Sequence, residues 1–431
     1  MVEARWVVPV EPAGAILPDH AVVVRDERIL AVLPSGDARA RYPTLPRVVL
    51  PTHLLIPGLI NLHTHAAMVL MRGIADDLPL RQWLEQHIWP AESQHVSPEF
   101  VYDGTLVAAA EMLRGGVTCF QDMYFFPESV GRAARDARIR AVVGLITLEF
   151  PTPYASGPEE YLARGLAVRA RFAQDPLVSF AIAPHAPYTV SDATFKIAVR
   201  AAEDHDLRIH LHVHETDDEI SESQSHHGCR PLERLVALGV VNPRLVAAHC
   251  VHLTDAEITL LADRGVHVAH CPAANLKLAS GIAPVAAMVD RGVNVGVGTD
   301  GAASNNRLDM LAELRLAALL GKAAAGRADA LPAHQVLAMG TINAARALGL
   351  ETRIGSIVPG KEADLVALDF SSLELHPVFD PVSHAVYAAG REAVTHVWVR
   401  GEPVLVDGAL RTVDVDAARG RAAAWGARLA R

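Results

Sequence analysis

The chain has 431 residues, of which 51% are hydrophobic and 20% charged, which predicts one large and one smaller domain and excludes a disordered or fibrous protein. The net charge is −10, and no run of Lys or Arg exceeds two residues. Nucleic acid is therefore excluded as a partner, because a phosphate backbone requires concentrated positive charge.

The four cysteines are too far apart in the sequence to indicate a disulfide framework. Cys119, Cys229, Cys250 and Cys271 include no CxxC pair, so neither disulfides nor a thiolate zinc site is expected. The N-terminal segment carries Glu3 and no long apolar stretch. No window approaches the roughly 18 apolar residues of a membrane span. We expect a cytoplasmic protein that does not bind membranes.

The two terminal segments have the same character. Residues 1 to 56 and 357 to 431 contain short alternating strands separated by turns, such as HAVVVRDERILAVLP and THVWVRGEPVLVDG. Neither piece has enough apolar surface for a core of its own. We therefore predict that residues 1–56 and 357–431 meet in space as a small discontinuous β-sandwich.

Between these pieces, residues 57 to 356 alternate short β-rich apolar runs with longer amphipathic segments, a pattern typical of βα units. Eight runs over a span near the roughly 250 residues typical of the fold predict a (β/α)8 TIM barrel. In chain order the runs are LLIPGLINLHTH, VTCFQDMY, RAVVGLITLEF, VSFAIAPHAPYT, RIHLHVHET, RLVAAHCVHL, GVHVAHCPAAN and GVNVGVGTDG.

The connection after the first run is unusually long. Residues 66 to 94 precede the helix that Ser97 and Pro98 are expected to cap and start. Loops of this length usually act as lids or binding loops. Trp83 and Trp89 within it could cover a ligand, or could simply pack.

Polar residues lie at the predicted carboxyl ends of the strands, where barrel enzymes keep their active sites. His63 and His65 end the first strand, and side chains two residues apart point to the same side. His249 ends the sixth strand and Asp300 follows the eighth. Taken alone, the histidine pair could be structural and Asp300 could cap a turn.

The fifth strand carries a denser group. His210, His212 and His214 share one parity, and Glu215 follows them, so alternation does not choose among the three imidazoles. Imidazoles and a carboxylate from strands one, five, six and eight nevertheless converge on one barrel mouth. Such a nitrogen and oxygen set predicts a site for zinc or a similar divalent ion with a position open to water.

Four sequence blocks carry a resemblance to a known family. PGLINLHTH, the HxxE of strand five, AAHCVHL and GVGTDGAASNN resemble the signature blocks of the amidohydrolase superfamily, and IGSIVPGKEADLVALD is similar to its return into the small domain. The similarity covers nearly the whole chain. It implies a metal-dependent hydrolase whose catalytic domain is the barrel of residues 57–356.

Residue by residue, the resemblance implies that the metal ligands are His63, His65, His212 and Asp300. His249 would lie beside the metal-bound water and Glu215 would be the proton shuttle, so that Glu215, His249 and Asp300 are catalytic, with Glu215 and Asp300 also contacting substrate. The same resemblance leaves His210 and His214 as packing residues or neighbours of the ligands.

The number of metal ions also follows from the resemblance. Two-metal members usually bridge their ions with a carboxylated lysine at the end of strand three or four, but these ends read TLEFPTPY and APHAPYT, and Lys196 falls in the following helix. One divalent ion, zinc, is therefore expected.

Further blocks narrow the resemblance to members that deaminate methylthioadenosine and S-adenosylhomocysteine: MRGIADDLPLRQWLEQHIWPAE and DMYFFPES. There, the residue matching Glu92 binds the ribose hydroxyls, since a carboxylate can accept two hydrogen bonds from a diol. The residue matching His185 contacts purine or sugar. Glu92 could instead be an exposed helix-entry residue, and His185 could be structural.

One stretch departs from the family pattern. Some members supply arginines after strand three, where this chain has only Arg164, so a neutral methylthio group is favoured over homocysteine and adenosine stays open. The alternatives are deamination or dechlorination of guanine or an s-triazine, or a non-catalytic metal-binding barrel. We expect a small nucleoside as partner and a homo-oligomer, a dimer or tetramer.

Overall fold

The computed structural model describes residues 1–430 and contains two eight-stranded sheets. In chain order the strands are β1 (Val2–Val7), β2 (Leu17–Arg25), β3 (Arg28–Pro34), β4 (Val48–Pro57), β5 (Leu59–Thr64), β6 (Val117–Tyr124), β7 (Arg140–Thr147), β8 (Val178–Pro184), β9 (Arg208–Val213), β10 (Leu245–His249), β11 (His267–His270), β12 (Asn294–Val297), β13 (Leu365–Asp369), β14 (Val394–Val399), β15 (Glu402–Val406) and β16 (Ala409–Leu410).

The helices lie mainly between strands. They are α1 (Ser35–Arg41), α2 (Leu80–Trp83), α3 (Trp89–His95), α4 (Pro98–Arg114), α5 (Pro127–Ala137), α6 (Pro158–Arg171), α7 (Asp192–Asp204), α8 (Asp217–His227), α9 (Pro231–Ala237), α10 (Asp255–Asp263), α11 (Pro272–Lys277), α12 (Val285–Asp290), α13 (Met310–Ala325), α14 (Ala333–Met339), α15 (Ile342–Leu348), α16 (Pro381–Tyr387) and α17 (Val415–Leu429). Within residues 1–430, none of them has both the length and the apolarity to cross a bilayer.

Strands β5 to β12 form the larger sheet in sequential order, and neighbouring strands run parallel with helices in between. Each predicted apolar run contains one of these strands. Most of their side chains are buried, as expected for a sheet covered on both faces. The predicted (β/α)8 barrel is confirmed.

The first and last barrel strands meet through hydrogen bonds at their carboxyl ends. The Asp300 backbone N–H donates to the His63 carbonyl oxygen over 2.9 Å. The Asn61 amide nitrogen donates to Thr299 Oγ1 over 2.7 Å, and its oxygen accepts from the Thr299 backbone N–H over 2.9 Å. These contacts bring the end of β5 against the residues that follow β12.

The terminal segments form the second sheet, ordered β16-β15-β14-β13-β4-β1-β2-β3. The two pieces join where β4 and β13 pair antiparallel, with Leu54 opposite Leu368. One apolar cluster takes Val2 and Leu55 from the first piece and Leu365 and Trp398 from the second. The predicted small β-sandwich of N- and C-terminal strands is confirmed as a sheet separate from the barrel, in which all eight strands hydrogen-bond in one continuous order.

The long connection after β5 is mostly helical. A 3-10 turn at Ala66–Met71 leads to α2, a π-helical turn at Leu84–Ile88 and α3. Because the turns are short and irregular, their apolar residues show no single helical period. Beyond them, Ser97 Oγ accepts from the Phe100 backbone N–H and caps α4, as expected.

Candidate metal centre and adjoining cavity

Five side chains from four strands converge at the carboxyl ends of the barrel. His63 and His65 come from the end of β5, His212 from β9 and His249 from β10, and Asp300 follows β12. The potential ligand atoms of His63, His65 and His212 lie within 4.8 Å of one another. So do those of His63, His249 and Asp300, which makes two overlapping groups that share His63.

Each of the four imidazoles is held at Nδ1 by a partner outside the cluster. The bonds run from His63 Nδ1 to His210 Nε2 (2.9 Å), from His65 Nδ1 to the Met123 carbonyl oxygen (2.6 Å), from His212 Nδ1 to the His185 carbonyl oxygen (2.7 Å) and from His249 Nδ1 to Asn275 Oδ1 (2.8 Å).

This anchoring decides which ring nitrogen is left to bind an ion. A carbonyl oxygen only accepts, so Nδ1 of His65 and His212 must carry the proton, and Nε2 keeps a free lone pair. His63 Nε2 is buried and has no hydrogen-bond partner in the described chain. An unpartnered buried nitrogen is costly, so this donor set fits a divalent ion such as zinc.

Asp300 is oriented by its own loop. Its Oδ1 accepts from the Gly301 N–H over 2.6 Å, and its Oδ2 accepts from Ser304 Oγ over 2.8 Å. His63 Nε2 and His65 Nε2 lie 3.5 and 3.3 Å from Oδ1. Burial by itself would raise the pKa of Asp300, but His63, His65 and His249 hold this pKa well below its usual range. Asp300 is therefore a carboxylate at neutral pH.

His214, His249 and Asp300 have left-handed backbone conformations although none is glycine. The φ angles are +53° at His214, +70° at His249 and +63° at Asp300. Such residues cost about 1 to 3 kcal/mol each and persist only where surrounding structure imposes them. At His214 the conformation turns the ring out of the strand alternation, and its Nε2 accepts from the Leu232 N–H over 3.1 Å.

Glu215 is held by a second glutamate. The Glu219 carboxylate accepts from the backbone N–H groups of His214 (2.9 Å) and Glu215 (2.8 Å). Glu215 Oε2 lies 3.6 Å from His249 Nε2, and the residue is 5% exposed. Burial raises the pKa of Glu215 above its ordinary value. A raised pKa suits a carboxyl that has to carry a proton during a reaction.

A cavity of about 310 Å³ adjoins this cluster, and Glu215 and Asp300 line it. Glu92 lies in its wall on α3, where Oε1 accepts from the Tyr124 hydroxyl over 2.7 Å. Enclosure raises the pKa of Glu92 to about 7, although the bond from Tyr124 opposes the rise. The cavity thus offers a partly buried hydrogen-bond acceptor besides the histidine cluster.

His185 also lines the cavity, directly after β8. Its Nδ1 is 2.9 Å from Thr189 Oγ1, and its ring centroid lies 4.8 Å from that of His212. Burial lowers the pKa of His185 to about 3, so the ring is neutral. Trp83 and Trp89 contribute to the apolar part of the same wall, and Trp83 Nε1 donates to the Ile74 carbonyl oxygen over 3.2 Å.

A second, outer cavity of about 950 Å³ shares part of its wall with the first. The shared residues are largely apolar: Leu80, Leu84, Trp89, Phe150, Tyr188 and Leu278. Carboxylates outnumber cations in its lining. Arg164, the cation found after strand three in the sequence, lines neither cavity; its Nη1 donates to the Tyr154 carbonyl oxygen.

All eight residues selected from the sequence therefore meet around one cavity and its metal cluster: His63, His65, Glu92, His185, His212, Glu215, His249 and Asp300. Sequence reasoning missed the partners that hold them, namely Tyr124, Asn275, Glu219 and Ser304. Only Tyr124 carried a usable signal, since it ends a barrel strand.

Comparison with known proteins finds one matching family and several similar proteins. The amidohydrolase family matches residues 54–404. A 5-methylthioadenosine/S-adenosylhomocysteine deaminase of Teredinibacter turnerae is 47% identical over 427 residues, covering 98% of this chain and 96% of that protein. A 5'-deoxyadenosine deaminase of Methanothermobacter thermautotrophicus is 44% identical over 397 residues, 91% of each chain. The crystal structure of an adenosine deaminase from Xanthomonas campestris with bound zinc has a TM-score of 0.97 and 49% identity, covering 100% of this chain and 98% of that one.

Proposed function

The chain belongs to the amidohydrolase family, and we propose that it is a metal-dependent aminohydrolase that converts the adenine ring of 5'-methylthioadenosine to the inosine analogue and ammonia. S-adenosylhomocysteine and adenosine are the other candidate substrates. The observation that carries this proposal is that Glu215, with its raised pKa, lines one cavity together with the histidine cluster and Glu92.

The proposed ligands of the ion are His63, His65, His212 and Asp300, with His249 directly beside them. When bound, a divalent ion such as zinc supplies Lewis acidity that makes water nucleophilic near neutral pH. A single ion is supported by the ends of β7 and β8, which carry Thr147 and Pro184 and no lysine that could be carboxylated.

The chain's own groups then handle the proton. Water adds to C6 of adenine, the second proton of the added water passes to the exocyclic amino group, the bond from C6 to that nitrogen breaks, and ammonia leaves as C6 becomes a carbonyl carbon. Glu215 takes the proton from the attacking water and delivers it to N1, which its raised pKa suits. His249, held at Nδ1 by Asn275, keeps its Nε2 toward Glu215 and the attacking oxygen.

The remaining cavity residues orient the nucleoside. Glu92 would accept hydrogen bonds from the two ribose hydroxyls, as a carboxylate can from a vicinal diol. His185 is neutral and can hydrogen-bond to purine or sugar through its Nε2, because its Nδ1 is engaged by Thr189. Trp83 and Trp89 supply apolar surface for the rings.

The outer cavity supports a neutral 5' group. Its three lysine and arginine side chains already have protein partners: Arg81 contacts Glu85 and Glu222, Arg234 contacts Asp192 and two carbonyl oxygens, and Lys277 contacts Asp76, Asn306 and a carbonyl oxygen. These contacts weaken recognition of the carboxylate of a homocysteine tail, because each cation is already paired within the protein. The apolar shared wall suits a methylthio group, so 5'-methylthioadenosine is preferred.

The test is release of ammonia or chloride from 5'-methylthioadenosine, S-adenosylhomocysteine, adenosine, guanine and an s-triazine, before and after chelation and zinc return. We expect metal-dependent turnover of the adenine nucleosides, fastest with 5'-methylthioadenosine. Turnover of guanine or the triazine alone would assign the site to the alternative heterocycles. Binding of zinc without turnover of any compound would favour the non-catalytic barrel.

Besides the roles of the site residues, four features are predictions: the single zinc ion, the dimer or tetramer, the cytoplasmic location and the division of the chain at residues 56/57 and 356/357. Elemental analysis of purified protein would count the ions, and light scattering would give the mass of the assembly. Limited proteolysis would show whether cleavage concentrates at the proposed domain boundaries.

A further inference from the structure

Tyr124 and Glu92 link the rigid barrel to the helical connection after β5. Tyr124 is the last residue of β6 and is 3% exposed, whereas Glu92 lies on α3 within the inserted segment. The tyrosine hydroxyl donates to Glu92 Oε1 over 2.7 Å, and both residues line the cavity of about 310 Å³. One contact therefore fixes a cavity carboxylate to a strand end.

This contact restricts rotation of the Glu92 carboxylate about its terminal torsion. The terminal torsion of a glutamate is broad, so an untethered carboxylate rotates among many orientations. An oxygen that accepts from a donor anchored in the barrel holds the carboxylate plane in one orientation. The other oxygen, Oε2, has no hydrogen-bond partner in the described chain and is left for a ligand.

The contact also favours the charged form of Glu92. Enclosure raises the pKa of Glu92, and the hydrogen bond from Tyr124 is the largest influence that lowers it, followed by the charge of His65. An ionised carboxylate only accepts hydrogen bonds, whereas a protonated one must donate one. The ionised carboxylate of Glu92, held in one orientation, is therefore the form best suited to accept hydrogen bonds from a sugar diol.

We propose that Tyr124 is a positioning residue that aims Glu92 at the 2'- and 3'-hydroxyls and thereby sets a preference for ribonucleosides over nucleosides without that diol. The inference rests on the proposed function, because it assigns the ribose end of the same site. Tyr124 acts through Glu92 and does not take part in the chemistry at C6.

The test compares adenosine with 2',3'-dideoxyadenosine in the wild-type protein and in Tyr124→Phe. For adenosine, loss of a hydrogen bond to a charged group should raise KM about 10- to 100-fold with kcat nearly unchanged. For the dideoxy compound, KM should stay the same. In a Glu92→Gln background, Tyr124→Phe should raise the KM for adenosine little further, because Tyr124 acts only through Glu92.

Tyr102→Phe is the matched control, since the Tyr102 hydroxyl also donates to a carboxylate, Asp136 Oδ2, over 2.8 Å but on the outer helices. It should leave both KM values unchanged. An equal rise in KM for both nucleosides in Tyr124→Phe, or no rise, would overturn the proposal.

Calorimetric titration with the same two nucleosides separates this proposal from the proposed function. Tighter binding of adenosine than of the dideoxy compound, with the difference lost in Tyr124→Phe, would support the role of Tyr124 even in a protein that shows no turnover. If the wild-type protein turns over adenosine and the ratio of the two binding affinities is the same in Tyr124→Phe, the role of Tyr124 is rejected and the proposed function is not.

Discussion

His63 Nδ1 lies 2.9 Å from His210 Nε2, and both rings are fully buried. The other three imidazoles of the cluster are anchored by oxygen atoms, so His63 is the one whose partner is itself an imidazole. For His63 to keep Nε2 free, His210 must accept at Nε2 and carry its proton on Nδ1. His210 thereby orients the residue shared by both ligand groups.

Replacing His210 should weaken the metal site. We expect His210→Leu to lower zinc affinity about 10- to 100-fold, since partners of metal-bound histidines typically contribute this much. Competition with a chromophoric chelator would measure the affinity. His267→Leu is the control, because that half-buried histidine lies on β11 and contacts Asn294 outside the cluster. Equal zinc affinities in both variants would contradict the orienting role.

Replacing Glu215 should stop the chemistry and spare the metal. Glu215→Gln keeps the size of the side chain but cannot carry the proton, so kcat should fall about 10²- to 10⁴-fold. Zinc content should not change. Glu222→Gln is the control, because Glu222 lines the outer cavity and pairs with Arg81. Retained turnover in Glu215→Gln would reject the proposed shuttle.

Glu313 should make the metal-free protein less stable as pH rises. It is 2% exposed on α13, where burial raises its pKa to about 8 despite bonds from the Asn305 side chain and the Ala273 N–H. Its folded pKa exceeds the unfolded value of about 4.3. The contribution of Glu313 to the free energy of unfolding is therefore fully present below the unfolded pKa and is lost as pH rises through the folded pKa of about 8.

The loss amounts to at most about 1.4 kcal/mol per pH unit. Between pH 5 and 8, urea unfolding of chelated Glu313→Gln should depend less steeply on pH than that of the wild-type protein. The exposed Glu85 offers the control variant Glu85→Gln, which should retain the wild-type slope. Parallel curves for all three proteins would exclude Glu313 as the titrating group.

The barrel and the terminal sheet are linked by a buried ion network. Arg140 begins β7, and its Nη2 lies 2.7 Å from Glu362 Oε2 and 3.4 Å from Asp364 Oδ1, all at about 2% side-chain exposure. Arg140→Met would leave two buried carboxylates without this partner. We expect the free energy of unfolding to fall by about 3 to 5 kcal/mol.

Arg200→Met removes an exposed ion pair with Asp204 and should cost less than about 1 kcal/mol. Urea unfolding of both variants beside the wild-type protein gives the comparison. Similar losses for Arg140→Met and Arg200→Met would mean that burial of the network adds no stability.

Much of the site could be predicted because barrel chemistry is local to strand ends. Apolar runs mark the strands, and the polar residues that end these runs lie at the barrel mouth, which identifies His63, His249 and Asp300. Parity left His210, His212 and His214 undecided. In the structure, His214 has a left-handed backbone and His210 contacts His63, so His212 is the one of the three that lies in the cluster. Neither observation can be deduced from the alternation of side chains along a strand.

The sequence by itself determined the order of the strands, the barrel with its terminal sheet, and the residues available at each strand end, because periodicity and turns are properties of neighbouring residues. Only the tertiary structure decided which atoms face the centre and what holds them. Tyr124 reaches Glu92 across 32 positions and Asn275 reaches His249 across 26. Such pairs depend on how whole strands and helices pack, and a hydrogen bond between distant residues leaves no periodic trace in the chain.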